Sequence, residues 1–177
     1  MIVNLFDVLS SVGNSLTVDA VLSDLNEVFF GEEITVISKG SFKINITCIA
    51  KDIVELDCNP VIGTVRSCSR CLSEVEGEYE LSIKRKVNVA LNKVYIDDSS
   101  ETDDTSYIED CNLDVDRLVL DELFTILPSS VLCKEDCKGI CKVCGTNLNK
   151  STCDCDQTVP DPRMAVFSDI FNQFKEV

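Results

Sequence analysis

Hydrophobic and polar positions alternate with a period of two through much of the first half of the chain. Phe42, Ile44, Ile46, Cys48 and Ala50 interleave with Lys43, Asn45 and Thr47, as a strand with one buried face requires. Lys51-Asp52 predicts a turn. Val54, Leu56 and Cys58 carry the alternation on to Asn59-Pro60, and Val61–Ser67 predicts another strand. The longest run sets Val75, Tyr79, Leu81, Ile83, Val87, Val89 and Leu91 on one face, opposite Glu76, Glu78, Glu80, Lys84, Lys86 and Asn88. This is the pattern of an antiparallel meander with one wet face. Before Ile34 the signal weakens: residues 2–5 suit a short strand, and residues 18–25 suit a helix or a loop.

The period then changes. Residues 97–110 contain seven acidic side chains and no basic one, a composition that predicts a solvated, mobile loop. Asp114 is placed to cap a helix over residues 114–127, with Leu118 and Phe124 facing the sheet and Pro128 ending it. Asp161-Pro162 supplies a cap and a first-turn proline for a helix over residues 162–175, whose stripe is Phe167, Ile170, Phe171 and Phe174. The predicted fold is α+β: an antiparallel sheet or partly closed β-barrel with a covering helix in residues 1–128, and a cysteine-rich, zinc-binding appendage in residues 129–177.

Charge and composition narrow the chemistry. Sixteen Lys and Arg stand against 31 Asp and Glu, for a formal net charge of −15 over 177 residues. That balance argues against a broad nucleic-acid footprint, which draws its affinity from clustered cations, and favours a protein partner. The chain has no His, which removes the commonest general base and any Ser/His or Cys/His pair. Residues 1–12 hold Asp7 and no Lys or Arg, unlike the basic start of a signal peptide, and no apolar run approaches membrane-spanning length. The expected compartment is the reducing cytoplasm, with no membrane contact. There, clustered cysteines read as metal ligands or redox groups rather than disulfides.

Six of the eleven cysteines, Cys133, Cys137, Cys141, Cys144, Cys153 and Cys155, fall in one short segment. Zn²⁺ favours four thiolates in a tetrahedron, and a Cys-x2-Cys turn offers two of them. Cys141 and Cys144, followed by Gly145, form such a turn. The other two ligands come either from Cys153 and Cys155 or from Cys133 and Cys137, with a mixed set or a binuclear cluster also open. One structural zinc is expected, since four sulfurs leave no position for a reactive water. A second Cys-x2-Cys, Cys68 and Cys71 around Arg70, lies between predicted strands. It reads as a structural hairpin or an extra ligand pair, and alternatively as a redox dithiol with a thiolate favoured by the arginine. Cys48, Cys58 and Cys111 read as core residues.

Four segments occur together and in order: CSRCL at residues 68–72, LDVDRLVLDELFTILP at 113–128, CKGICKVCGTNLN at 137–149 and DPRMAVF at 161–167. In this combination the chain resembles the YceD family of large ribosomal RNA accumulation proteins, over residues 34–174, in its cysteine-rich Gram-positive and plastid form. The resemblance implies a ribosome biogenesis factor, not an enzyme, that supports accumulation or processing of 23S-type rRNA. Its partners would be ribosomal proteins or rRNA-processing factors, with direct RNA contact weak. Arg70 with Cys68 and Cys71, and Asp161, Pro162 and Arg163, would be its surface and tail positions. The alternatives are a thiol-disulfide protein using Cys68 and Cys71, and a zinc-ribbon RNA-binding module using Lys134, Lys138, Lys142 and Lys150.

Overall fold

The computed structural model describes residues 1–29, 31–95 and 102–155. Its elements in order are β1 (Ile2–Asn4), α1 (Phe6–Leu9), β2 (Ser15–Val21), β3 (Leu25–Phe29), β4 (Glu32–Ser38), β5 (Ser41–Ala50), β6 (Ile53–Cys58), β7 (Val61–Ser67), β8 (Glu74–Glu80), β9 (Ile83–Asn88), β10 (Lys93–Tyr95), β11 (Thr102–Asp104), β12 (Ile108–Glu109), β13 (Asn112–Asp114) and α2 (Val115–Ile126). In place of a single sheet or a partly closed barrel, the described strands form three open antiparallel sheets. Their orders are β1-β13-β12, β11-β10-β9-β6-β5-β2 and β3-β4-β7-β8.

The two larger sheets meet at a corner that the chain crosses twice. β6 leads into β7 through Asn59-Pro60, and β8 into β9 through Leu81-Ser82. Cys58 pairs with Ile83 on one side of the corner and Val61 with Glu80 on the other. Between them the Leu81 amide donates to the Pro60 carbonyl at 2.9 Å. Proline has no N–H to return, so the ladder breaks there and the strands change sheet. The apolar run from Val75 to Leu91 is thus two strands in two sheets, and Leu81 sits buried at the bend.

Alternation places the core as the sequence predicts over β5 and β6, where Ile44, Ile46, Cys48, Val54, Leu56 and Cys58 are buried. They form one cluster with Val36, Ile62, Ile83 and Val87, and with Leu118, Val119 and Leu123 of α2. The carboxylate of Asp114 accepts from the Asp116 and Arg117 amides and caps α2. Leu127, ahead of Pro128, turns extended at ψ 129°. Phe124 stacks on Phe29 of β3 at 5.1 Å. Arg66, 2% exposed, lies over Phe29 and bonds the Pro128 carbonyl at 2.6 Å and Glu32 at 3.1 Å. One buried guanidinium therefore ties β7 to β4, β3 and the end of α2.

Two expectations change. Residues 18–25 form no helix and are loop only at residues 22–24: β2 runs through Val21 and pairs with β5 over seven positions from Ser15↔Thr47 to Val21↔Ser41, and β3 begins at Leu25. Within the acidic stretch, β11 pairs with β10 and β12 with β13, because backbone pairing is indifferent to side chains that point into water. The predicted helix over residues 162–175, with Asp161, Pro162 and Arg163, lies outside the described residues.

Candidate metal centres

The turn between β7 and β8 carries Cys68 and Cys71, and the segment after Pro128 runs back across it. The Ser69 amide donates to the Val131 carbonyl at 2.9 Å, and the Ile140 amide to the Arg70 carbonyl at 3.1 Å. Arg70 donates to the Cys137 carbonyl at 3.0 Å. Gly139 (φ +78°) lies so close that an added Cβ would stand 3.0 Å from the Arg70 carbonyl oxygen. This docking gathers Cys68, Cys71, Cys133 and Cys137 with all four sulfurs within 4.8 Å of one another. Cys68 and Cys137 sulfurs are 3.8 Å apart, and Cys71 and Cys133 sulfurs 3.5 Å.

A second set lies within the tail alone. An Ile140↔Asn147 bridge closes a small loop, with the Cys141 amide donating to the Thr146 carbonyl at 2.8 Å. Cys141 and Cys144 on this loop meet Cys153 and Cys155, again with sulfurs within 4.8 Å. Of the two pairings open in the sequence for Cys141 and Cys144, the structure brings them Cys153 and Cys155. Cys133 and Cys137 go instead to the pair at the sheet turn. All eleven cysteines are unbridged thiols. Cys48 and Cys58 are buried in the core, and Cys111 packs partly buried against it.

Hydrogen bonds around the sulfurs divide each set. Ser73, through its hydroxyl and amide, holds the Cys71 thiol down at about 6. Cys133, in a shared hydrogen bond with Cys71, is pushed up to about 12. For Cys68 burial pulls upward, but amide hydrogen bonds from Arg70, Cys133 and Cys71 bring the thiol down. In the tail, Thr146 holds Cys144 down at about 6, while Cys155, donating to Cys144, is pushed up to about 12. The Cys155 amide draws Cys153 down, but Cys141, burial and Cys144 outweigh it and raise that thiol. Four adjacent sulfurs cannot all carry charge without a cation between them. A divalent ion removes that conflict and displaces the remaining protons, so either set has the donors of a tetrathiolate site.

Fold and clusters define an antiparallel β protein whose thiolate-rich tail folds back onto a sheet turn. The chain belongs to the YceD family, described as large ribosomal RNA subunit accumulation protein YceD, which matches residues 56–171. It is 33% identical over 91 residues to an uncharacterised protein of Mycobacterium tuberculosis, covering 48% of this chain and 40% of that protein. An uncharacterised protein of Mycobacterium leprae is 25% identical over 121 residues, covering 67% of this chain and 54% of that protein. A chloroplastic large ribosomal RNA subunit accumulation protein YCED homologue of Arabidopsis thaliana is 28% identical over 64 residues, 36% of this chain and 20% of that protein. The chain thus spans well under two thirds of the length of these relatives. No solved structure matches it. Among the described residues no helix is long and apolar enough to cross a membrane.

Proposed function

We propose that this chain is a non-enzymatic, cytoplasmic ribosome biogenesis factor that supports accumulation or processing of large-subunit rRNA by binding a basic protein partner. The family match over residues 56–171 carries the ribosomal part of the reading. Charge supports the rest. The net charge is −15, and β8, the last strand of its sheet, exposes Glu74, Glu76, Glu78 and Glu80 in one row. Alternate residues on a strand share a face, so these carboxylates present a line of negative potential suited to Lys- and Arg-rich protein and repelling to rRNA phosphate. The tail set Cys141, Cys144, Cys153 and Cys155 holds a structural zinc in this reading and gives the loop between Ile140 and Asn147 its shape.

The test is depletion of the protein with complementation, read as 23S-type rRNA level relative to 16S-type, alongside affinity capture. Wild type should restore rRNA and recover a basic ribosomal protein or processing factor. A Glu76→Lys/Glu78→Lys variant should lose both while folding normally. Normal rRNA after depletion, or capture unchanged by charge reversal, overturns the proposal.

A further inference from the structure

We infer that Cys68, Cys71, Cys133 and Cys137 form a second zinc site, separate from the tail set, that fastens the tail to the sheet turn. The sulfur geometry is the first argument. Four sulfurs each about 2.3 Å from a central ion stand about 3.8 Å apart along the edges of their tetrahedron, and the two pairs measured here are 3.8 and 3.5 Å apart.

The second argument comes from the backbone and is independent of the sulfurs. In the tail, Gly145 follows Cys141 and Cys144 with φ +73°, and its amide donates to the Cys141 carbonyl at 2.9 Å. At the sheet turn, Leu72 follows Cys68 and Cys71 with φ 60°, and its amide donates to the Cys68 carbonyl at 2.9 Å. The two turns are the same turn. Glycine takes that backbone freely, whereas a branched side chain there is a strained outlier that persists only where its surroundings impose it. Leu72 is 65% exposed, so its own packing does not impose it; the demand for two converging sulfurs does.

Burial and donors supply the third. Cys68, Cys71 and Cys137 are buried together with, among the described residues, only Val75 packed against them, too little apolar surface for a core. The groups around them are polar: the Cys133 amide donates to the Cys68 sulfur at 3.3 Å, and the Asn149 side-chain amide to the Cys137 sulfur at 3.3 Å. Such donors spread the negative charge that four thiolates leave on a zinc centre. Asn149 is itself gripped by Asn147, which also donates to the Ser73 hydroxyl at 3.3 Å.

The experiment measures zinc per chain in the full-length protein, with the wild type also titrated with Co²⁺, whose visible bands report tetrathiolate coordination. Two zinc per chain and two equivalents of Co²⁺ with that spectrum are expected. Cys71→Ser and Cys144→Ser should each hold one, and the double variant none. Trypsin should cut at Lys134 and Lys138 at least tenfold faster in Cys71→Ser than in Cys144→Ser. One zinc in the wild type, kept in Cys71→Ser and lost in Cys144→Ser, overturns the inference. So does a single equivalent of Co²⁺ in the wild type, a reading that needs no variant to fold. The outcome is independent of the rRNA experiment, so either proposal can fail alone.

Discussion

Leu72 and Gly145 occupy equivalent places in two turns, with φ of 60° and 73°, and exchanging their types tests whether the backbone is the shared constraint. A side chain in the left-handed region loses about 1–2 kcal/mol relative to glycine. Glycine in turn loosens the unfolded chain by roughly 0.4–1 kcal/mol. Leu72 is 65% exposed, so Leu72→Gly forfeits little burial, and the net should be stabilisation by about 0.5–1 kcal/mol. For a domain of this size that raises Tm by about 2 °C. Gly145→Ala should do the opposite: a Cβ there meets nothing within 4 Å, so the loss is purely conformational, about 1 kcal/mol. Thermal unfolding followed by circular dichroism, at one fixed free zinc concentration because bound metal itself shifts Tm, resolves both. A Leu72→Gly variant less stable than wild type by 1 kcal/mol, or a Gly145→Ala variant at least as stable as wild type, would refute the equivalence of the turns.

Three other outcomes are expected. Arg66→Ala strips the Pro128 carbonyl of a buried donor and Phe29 of its cation, and should lower urea stability by roughly 2–4 kcal/mol; a loss under 0.5 kcal/mol would show the clamp to be idle. Burial, reinforced by Asp57, pushes the Cys58 thiol up to about 12, and burial with Glu122 raises Tyr107 as well. Their protonated forms are favoured in the fold, so this stability is whole below pH 9 and drains as pH rises toward 12, by at most about 1.4 kcal/mol per pH unit per group. Urea midpoints from pH 8 to 11 should fall less steeply in Cys58→Ala than in wild type, and equal slopes would remove Cys58 from the account. Gly139→Ala meets both a φ of +78° and the Arg70 carbonyl at 3.0 Å, and should speed tryptic cutting at Lys138 several-fold without shifting the sheet's unfolding midpoint; unchanged cutting would mean that the tail does not rest on Arg70.

The strands over residues 41–67 were legible because one face is buried and the other wet, so side-chain type reports the pleat directly. The corner at Pro60 and Leu81 was not. Apolar alternation passes through it unbroken, and the division into two sheets depends on which carbonyl meets the Leu81 amide, a fact of pairing rather than of composition. β2 was missed because its inward face is short: Leu16 and Val18 are only partly buried, and Ala20 is small. Local spacing found the Cys141 and Cys144 turn but could not join Cys68 to Cys137, which are 69 positions apart. A cue did exist: Cys68 and Cys71 with the six tail cysteines make eight, two complete sets of four, whereas the one-site reading left two tail cysteines over and took Cys68 and Cys71 as a hairpin or an extra ligand pair.

The two cysteine sets differ in when they can be completed. Cys141 to Cys155 emerge from a ribosome within a single short stretch, and that set closes a small loop. Cys68 and Cys71 are made long before Cys133 and Cys137, and by then every described strand and α2 has already been synthesised. Closing so long a loop costs little if the sheets are already folded, since the β7–β8 turn then waits in its final shape. A nascent chain halted between Ile126 and Cys133 would carry every described strand and α2 with its first two thiols still unmatched. In the proposed two-site arrangement the split set is thus a latch that closes only after the described strands and α2 have been made.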